Sequence, residues 1–450
     1  MRRLAVNLWV AILLIAASWA RSQALDFQKT LAAAEAGDDD AQFTLGAMYA
    51  TGRGAPKDPV KAISWFRKVA EKGNLDAQCN LGAMYATGQG APQDFSQGFY
   101  WFSKAAEKGN AMAQCNLASM YATGHGVPKD IPAALTWLRK AADQDMPKAQ
   151  RLLGSIYMGG IGVTQDFTQA FEWSRKAAEQ GDAQAQLNLG VLYSKEHGAA
   201  KDAVEAAKWY RKAAVQGLAR AEYNLGNLYD RGEGVPKDPA MAVRWWLKAA
   251  EQGHLNAQHN IGVAYNTGSG VAKDSAEALR WYLKAAERGH ASSQLDVAHM
   301  YQNAEGVSLD KAAALKWYRK AAEQGHPEAQ HRLGRILYDG DGLARNPEEG
   351  FKWLKLAAEQ SDAQAQWELG IAYAAGDGVS QDDIEAYKWM TLANSSGVTN
   401  AQPKLAELQA RLTLEQVAEA RRRSERFVPR QPPPEPEVTI EEDFSNLNTE

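Results

Sequence analysis

AQFTLGAMYATGRGAPKDPVKAISWFRKVAEKG, residues 41–73, holds two apolar stripes separated by glycine and proline punctuation, and this pattern decides the fold. In its first half Ala41, Leu45, Met48 and Tyr49 fall at i, i+4, i+7 and i+8, one face of a 3.6-residue helix. In its second half Ala62, Trp65, Phe66, Val69 and Ala70 form another such face. Between them Gly52 and Gly54 supply left-handed turn residues that end the first helix, while Asp58-Pro59 caps and starts the second. The stretch therefore predicts a helical hairpin, closed by Gly73.

The hairpin recurs. Trp65, Trp101, Trp137, Trp173, Trp209, Trp245, Trp281, Trp317, Trp353 and Trp389 stand 36 residues apart without insertion or deletion. Ala41, Ala77, Ala113, Ala149, Ala185, Ala221, Ala257, Ala329, Ala365 and Ala401 keep the same period, with Ser293 in the one gap. A period in this range marks stacked supersecondary units, each too small to bury its own apolar face. Gly46, with Gly82, Gly154, Gly190, Gly226, Gly262, Gly334 and Gly370, interrupts the first stripe. Glycine inside a helix costs roughly 1 kcal/mol against alanine, so its return predicts close helix approach there. The paired loop glycines do not read as a phosphate cradle, because no strand precedes them and no Lys-Ser/Thr follows. The tryptophan column reads as packing.

These residues, in the order Ala41, Leu45, Gly46, Tyr49, Gly52, Gly54, Asp58, Ala62, Trp65 and then Lys104, Ala105, Ala106, Glu107, Gly109, resemble the Sel1-like repeat family, a relative of the tetratricopeptide repeat. The resemblance covers roughly residues 25–397. It implies an all-α, right-handed α-solenoid superhelix of helix-turn-helix repeats with a 36-residue period. The expected organisation is a half-repeat cap at 25–40, ten repeats at 41–400, capping helices at 401–427 and an acidic, proline-rich disordered tail at 428–450. Thr413 and Gln416 offer a capping box for the last helix.

The two ends differ from the middle. Arg2 and Arg3 precede an apolar run from Leu4 to Ala17, followed by small residues at Ser22 and Ala24. This reads as a cleaved signal peptide, residues 1–24, with Ala20 as the alternative cleavage point. The run is shorter than the roughly 20 residues of a membrane span, so no stable membrane insertion is expected after cleavage. A bacterial periplasmic or secreted location follows. The whole chain carries a net charge of -4, and loss of Arg2, Arg3 and Arg21 takes it to -7. From Val428 onward six acids, one arginine and five prolines leave little to bury, which predicts disorder or an interaction arm. Neither end nor middle has the basic excess of a nucleic-acid binder.

The resemblance further implies recognition of a protein or peptide partner, with no cofactor, on a concave face lined by the first helices. In the related tetratricopeptide repeats that face corresponds here to Phe43, Thr44, Ala47, Ala50 and Thr51 and their equivalents. Early units carry small residues there, such as Cys79, Ala83, Cys115 and Ser119. Later units carry Tyr223, Asn227, His259, Asn266, His299, His331, Arg332, Arg335 and Tyr338. Asn80, Asn116, Asn188, Asn224 and Asn260 form a column of amides able to pair with an extended peptide backbone. The same column equally fits amides that hold neighbouring backbone groups. His331, Arg332 and Arg335 share a helical face that can receive a carboxylate, or can be solvated.

His254, His290 and His326 recur at the repeat period, but a spacing of about 10 Å between units is too wide for one zinc. Cys79 and Cys115 are likewise equivalent positions, too far apart for the roughly 7 Å Cα limit of a disulfide, and are expected as free thiols although export favours bridging. Some exported relatives carry cysteine pairs within each repeat and have been linked to beta-lactam binding; this chain lacks those pairs. An enzyme, a cell-wall or beta-lactam hydrolase, is the alternative, but no nucleophile with a partnered base stands out. The reading is a non-enzymatic scaffold or adaptor, including an envelope regulator.

Overall fold

The computed structural model describes residues 26–430, apart from positions 196, 199 and 341–343. The predicted signal segment at 1–24 and the acidic end from 431 lie outside the described residues. Among those described there is no strand. The chain forms two compact units that divide between Ala213 and Ala214. The first is built from the pairs Asp39–Thr51 with Pro59–Glu71, Leu75–Thr87 with Phe95–Glu107, Ala111–Thr123 with Ile131–Ala142 and Pro147–Gly159 with Phe167–Glu179, followed by Ala183–Ser194. The second holds Ala219–Arg231 with Pro239–Glu251, Leu255–Thr267 with Ser275–Glu287, Ala291–Asn303 with Lys311–Glu323, Pro327–Asp339 with Pro347–Glu359 and Ala363–Ala375 with Asp383–Ser395. Helices Ala401–Arg411 and Leu414–Glu425 close it, the last with the Thr413/Gln416 capping box in place.

Each hairpin is tied by one backbone bond that the sequence pattern dictates. The N–H of Asp58 donates to the carbonyl of Tyr49 at 2.9 Å, and Asp94 to Tyr85, Asp238 to Tyr229 and Asp382 to Tyr373 repeat it. The Asp side chain then accepts from the third amide of the second helix, as Asp58 does from Lys61 at 3.1 Å. Loop closure and helix start are thus set by one residue.

Leu45, Leu81, Leu117, Leu189, Leu225, Ile261, Leu333 and Leu369 form a fully buried column in the first helices. Each contributes on the order of 1.5–3 kcal/mol by leaving water. The predicted close approach at Gly46 is explained by what faces it: an added Cβ would stand 2.9 Å from the Phe66 ring. Phe66, Phe102, Tyr210, Trp246, Tyr282 and Tyr318 occupy this facing column and are almost fully buried. The neighbouring tryptophan column lies nearer the surface. There Lys68, Lys140, Lys212, Lys284 and Lys320 sit over Trp65, Trp137, Trp209, Trp281 and Trp317 at 3.6–4.0 Å.

Stacking of one hairpin on the next depends on backbone contact. A Cβ at Gly90 would lie 2.2 Å from the carbonyl oxygen of Pro59 in the preceding hairpin, and one at Gly270 would lie 2.3 Å from that of Pro239. Glycine is required there twice over, by φ of +79° and +75° and by the approach.

Candidate functional site

The first helices carry the polar residues through which one hairpin meets the next, and several predicted partner-binding residues are used in those junctions. Asn116 is buried and donates from Nδ2 to Cys79 Sγ at 3.7 Å. Asn188 is buried as well; its Nδ2 donates to Ser155 Oγ at 3.0 Å, and its Oδ1 accepts from Gln184 at 3.1 Å. Asn260 Nδ2 donates to Asn227 Oδ1 at 3.3 Å, and Asn227 Oδ1 also accepts from Trp246 Nε1 at 3.0 Å. Asn80 and Asn224 are half-buried. The amide column therefore bridges adjacent hairpins where a partner lies within reach.

Imidazoles and carboxylates make the same kind of bridge further along. His259 Nδ1 lies 3.3 Å from Asp296, and His331 Nε2 lies 3.1 Å from Glu368 with Nδ1 3.7 Å from Asp362. His299 Nε2 stands 3.8 Å from Glu328, which Arg332 also meets at 3.5 Å. Burial, reinforced by His290, pushes His259 down to about 4, and burial with Glu328 pushes Asp296 up to about 7. Burial thus disfavours the charged form of both members of this pair. His331 is buried against its carboxylates, whereas Arg335 is exposed and pairs with Asp339 at 3.5 Å. His331 and Arg335 thus serve different surroundings, and only Arg332 and Arg335 remain accessible to an incoming anion.

The periodic histidines have a clear local task. His254, His290 and His326 are the N-caps of three successive first helices, their Nδ1 accepting from Ala257, Ser293 and Ala329. Asp38, Asn74, Asn110, Asp182 and Asp362 do this elsewhere. Tyr223 stacks on His254 with ring centroids 4.5 Å apart, and Arg151 pairs with the capping Asp182 at 3.2 Å. Cys79 and Cys115 are buried free thiols.

A polar system that the sequence reading missed runs beneath these. Gln42, Gln78, Gln114, Gln150, Gln186, Gln258, Gln294, Gln330 and Gln366 are all buried. Each donates from Nε2 to a carbonyl eight residues earlier, as Gln78 does to Ala70 at 2.9 Å and Gln294 to Ala286 at 3.0 Å. A second glutamine at the end of the hairpin's second helix closes the pair: Gln180 donates to Gln150 at 2.9 Å, Gln324 to Gln294 at 2.6 Å and Gln360 to Gln330 at 2.8 Å. The signal, glutamine returning every 36 positions, was present beside the alanine column.

A tandem array of stacked helical hairpins, with no inserted body among the described residues, defines a helical-repeat protein of the solenoid class. The Sel1 repeat model matches ten times in succession, over residues 39–74, 75–110, 111–146, 147–182, 183–218, 219–254, 255–290, 291–326, 327–362 and 363–398, and the chain belongs to the Sel1 repeat family. It is similar to a protective antigen of uropathogenic Escherichia coli strains, with 32% identity over 94% of this chain and 97% of that one and a TM-score of 0.63. It is also similar to a Sel1 repeat protein from Oxalobacter formigenes, with 34% identity over 69% of this chain and 89% of that one and a TM-score of 0.53. No curated protein matches the sequence. Solenoids of this family generally serve as protein-interaction scaffolds, and no described helix is long and apolar enough to cross a membrane.

Proposed function

We propose that the chain is an exported, non-enzymatic scaffold that holds an extended segment of a protein partner against the first helices Ala219–Arg231 and Leu255–Thr267. The observation that carries this is the distribution of unused amide groups. Asn227 Oδ1 is occupied by Trp246 and Asn260, while its Nδ2 and Asn260 Oδ1 have no described bond. Asn224 and Asn266 lie on the same two helices, half-buried and without a described side-chain bond. Donors and acceptors in alternation suit a peptide backbone better than a charged ligand. The signal-like segment at 1–24 supports a periplasmic or secreted site of action, and an envelope regulator fits both features.

The test places a photo-crosslinking residue at Asn224 or Asn266 in the intact cell, with exposed Lys248 as control. A partner captured from 224 and 266 but not from 248, and bound about tenfold more weakly by Asn224→Ala/Asn266→Ala with unchanged melting temperature, is the expected result. Equal capture from all three positions, or unaltered affinity, would overturn the reading. Turnover of nitrocefin, or release of muropeptides by the purified protein, would favour a hydrolase instead.

A further inference from the structure

Six of the eight histidines lie between His254 and His331, and three of these do something that protonation forbids. At His290 the tautomer is fixed from both sides. Nε2 faces Asn256 Oδ1 at 3.1 Å and must carry the hydrogen, while Nδ1 accepts from the Ser293 amide at 3.2 Å and lies 2.8 Å from Ser293 Oγ. His254 Nδ1 accepts from the Ala257 amide at 3.3 Å and His326 Nδ1 from that of Ala329 at 3.5 Å. A proton on Nδ1 removes the acceptor and places a cation at the positive end of a helix dipole. The caps at Asp38, Asn74, Asn110, Asp182 and Asp362 offer an oxygen acceptor in place of an imidazole nitrogen, and Met146 and Leu218 stand at the cap position with no side-chain bond.

We propose that residues 255–339 form an acid-released section of the solenoid, in which protonation of His254, His290 and His326 strips three consecutive first helices of their N-caps while the Asp- and Asn-capped hairpins stay closed. The surroundings set the direction. His254 faces Arg220 and the Tyr223 ring; His290 faces His259 and, through it, Asp296, with His326 beyond; His326 faces Glu328, with His299 close by. Burial, the largest influence on all three, holds them below the ordinary histidine value, and Arg220 and His326 add to it at His254 and His290. A base whose folded value is depressed loses its native contribution as pH falls through the window beneath about 6.5. Burial holds His259 and His299 low as well and holds Asp296 high, so these groups also respond in acid, but none of them caps a helix. Replacing the three caps separates their contribution from that of His259, His299 and Asp296.

Hydrogen exchange of the full chain at pH 7.5 and 5.0, corrected for intrinsic rates, reads this directly. Amides in 255–267, 291–303 and 327–339 should lose on the order of tenfold in protection at pH 5.0, while those in 75–87 and 183–194 hold theirs. The triple variant His254→Asn, His290→Asn, His326→Asn, using the cap already present at Asn74 and Asn110, should abolish the loss. As a transfer test that leaves those hairpins intact, Asn110→His should make 111–123 acid-sensitive. Uniform loss across all hairpins, persistence of the effect in the triple variant, or no change with Asn110→His would overturn the proposal.

Discussion

Gln144 donates a 2.8 Å side-chain hydrogen bond to Oε1 of Gln114, across the open end of one hairpin, and the same pairing between Gln360 and Gln330 shows it to be a property of the repeat. Its absence is equally regular. The buried Oε1 atoms of Gln42, Gln78, Gln258 and Gln366 have no hydrogen-bond partner, and the residues at the donor position of those hairpins are Lys72, Lys108, Arg288 and Ser396.

Lys108→Gln should therefore stabilise the protein, by about 1 kcal/mol, because it supplies a buried acceptor with its missing donor. Gln144→Ala should cost about 1–3 kcal/mol by orphaning Gln114 Oε1. Urea unfolding midpoints check both, and a Lys108→Gln variant no more stable than the parent would refute the pairing rule.

Glu222 stands in the glutamine column, 3% exposed, with Oε2 accepting from Gln252 at 2.8 Å. Burial raises its carboxyl, against the opposing pull of Lys248 and Gln252. A folded value above the unfolded one, about 4.3, means that its contribution is complete below that pH and lost as pH rises through the raised value. Glu222→Gln should flatten this dependence and stabilise the chain at pH 7.5 by on the order of 1 kcal/mol, with parent and variant converging near pH 4. Melting temperatures across that range decide it.

Ala304 occupies a helix-ending position that is glycine in most hairpins, with φ of +60°. A left-handed conformation costs a residue bearing Cβ roughly 1–2 kcal/mol. Ala304→Gly should recover much of that as a higher melting temperature. Ser361→Gly should act similarly, its φ being +68°.

Burial pushes the thiols of Cys79 and Cys115 up to about 12. Neither should react with a disulfide reagent at pH 8 until the chain is unfolded. Stoichiometric labelling under native conditions would contradict the burial of both thiols and the contact of Cys79 with Asn116.

The hairpins, their punctuation and their stacking were readable because a 36-residue period repeats the same physical demand ten times. Asp58 and Thr413 announce helix starts through local chemistry, and Gly46 announces a close neighbour through its cost. The roles of Asn188 and His331 were not readable, since equivalent positions in a list look alike whether a residue faces solvent or the next hairpin. Asn188 meets Ser155 and His331 meets Glu368 only because stacking brings residues about one repeat apart into contact. The glutamine column was overlooked because a buried polar residue has no hydrophobic pattern to draw the eye.

By itself the sequence determined helix, turn and period, since these depend on backbone preference and on apolar spacing within about a dozen residues. The tertiary structure decided which polar groups are spent inside the stack and which remain for a partner, and it turned three periodic histidines into helix caps. Hydrogen bonding and protonation depend on who stands within 3 Å, and that distance exists only once the hairpins have stacked.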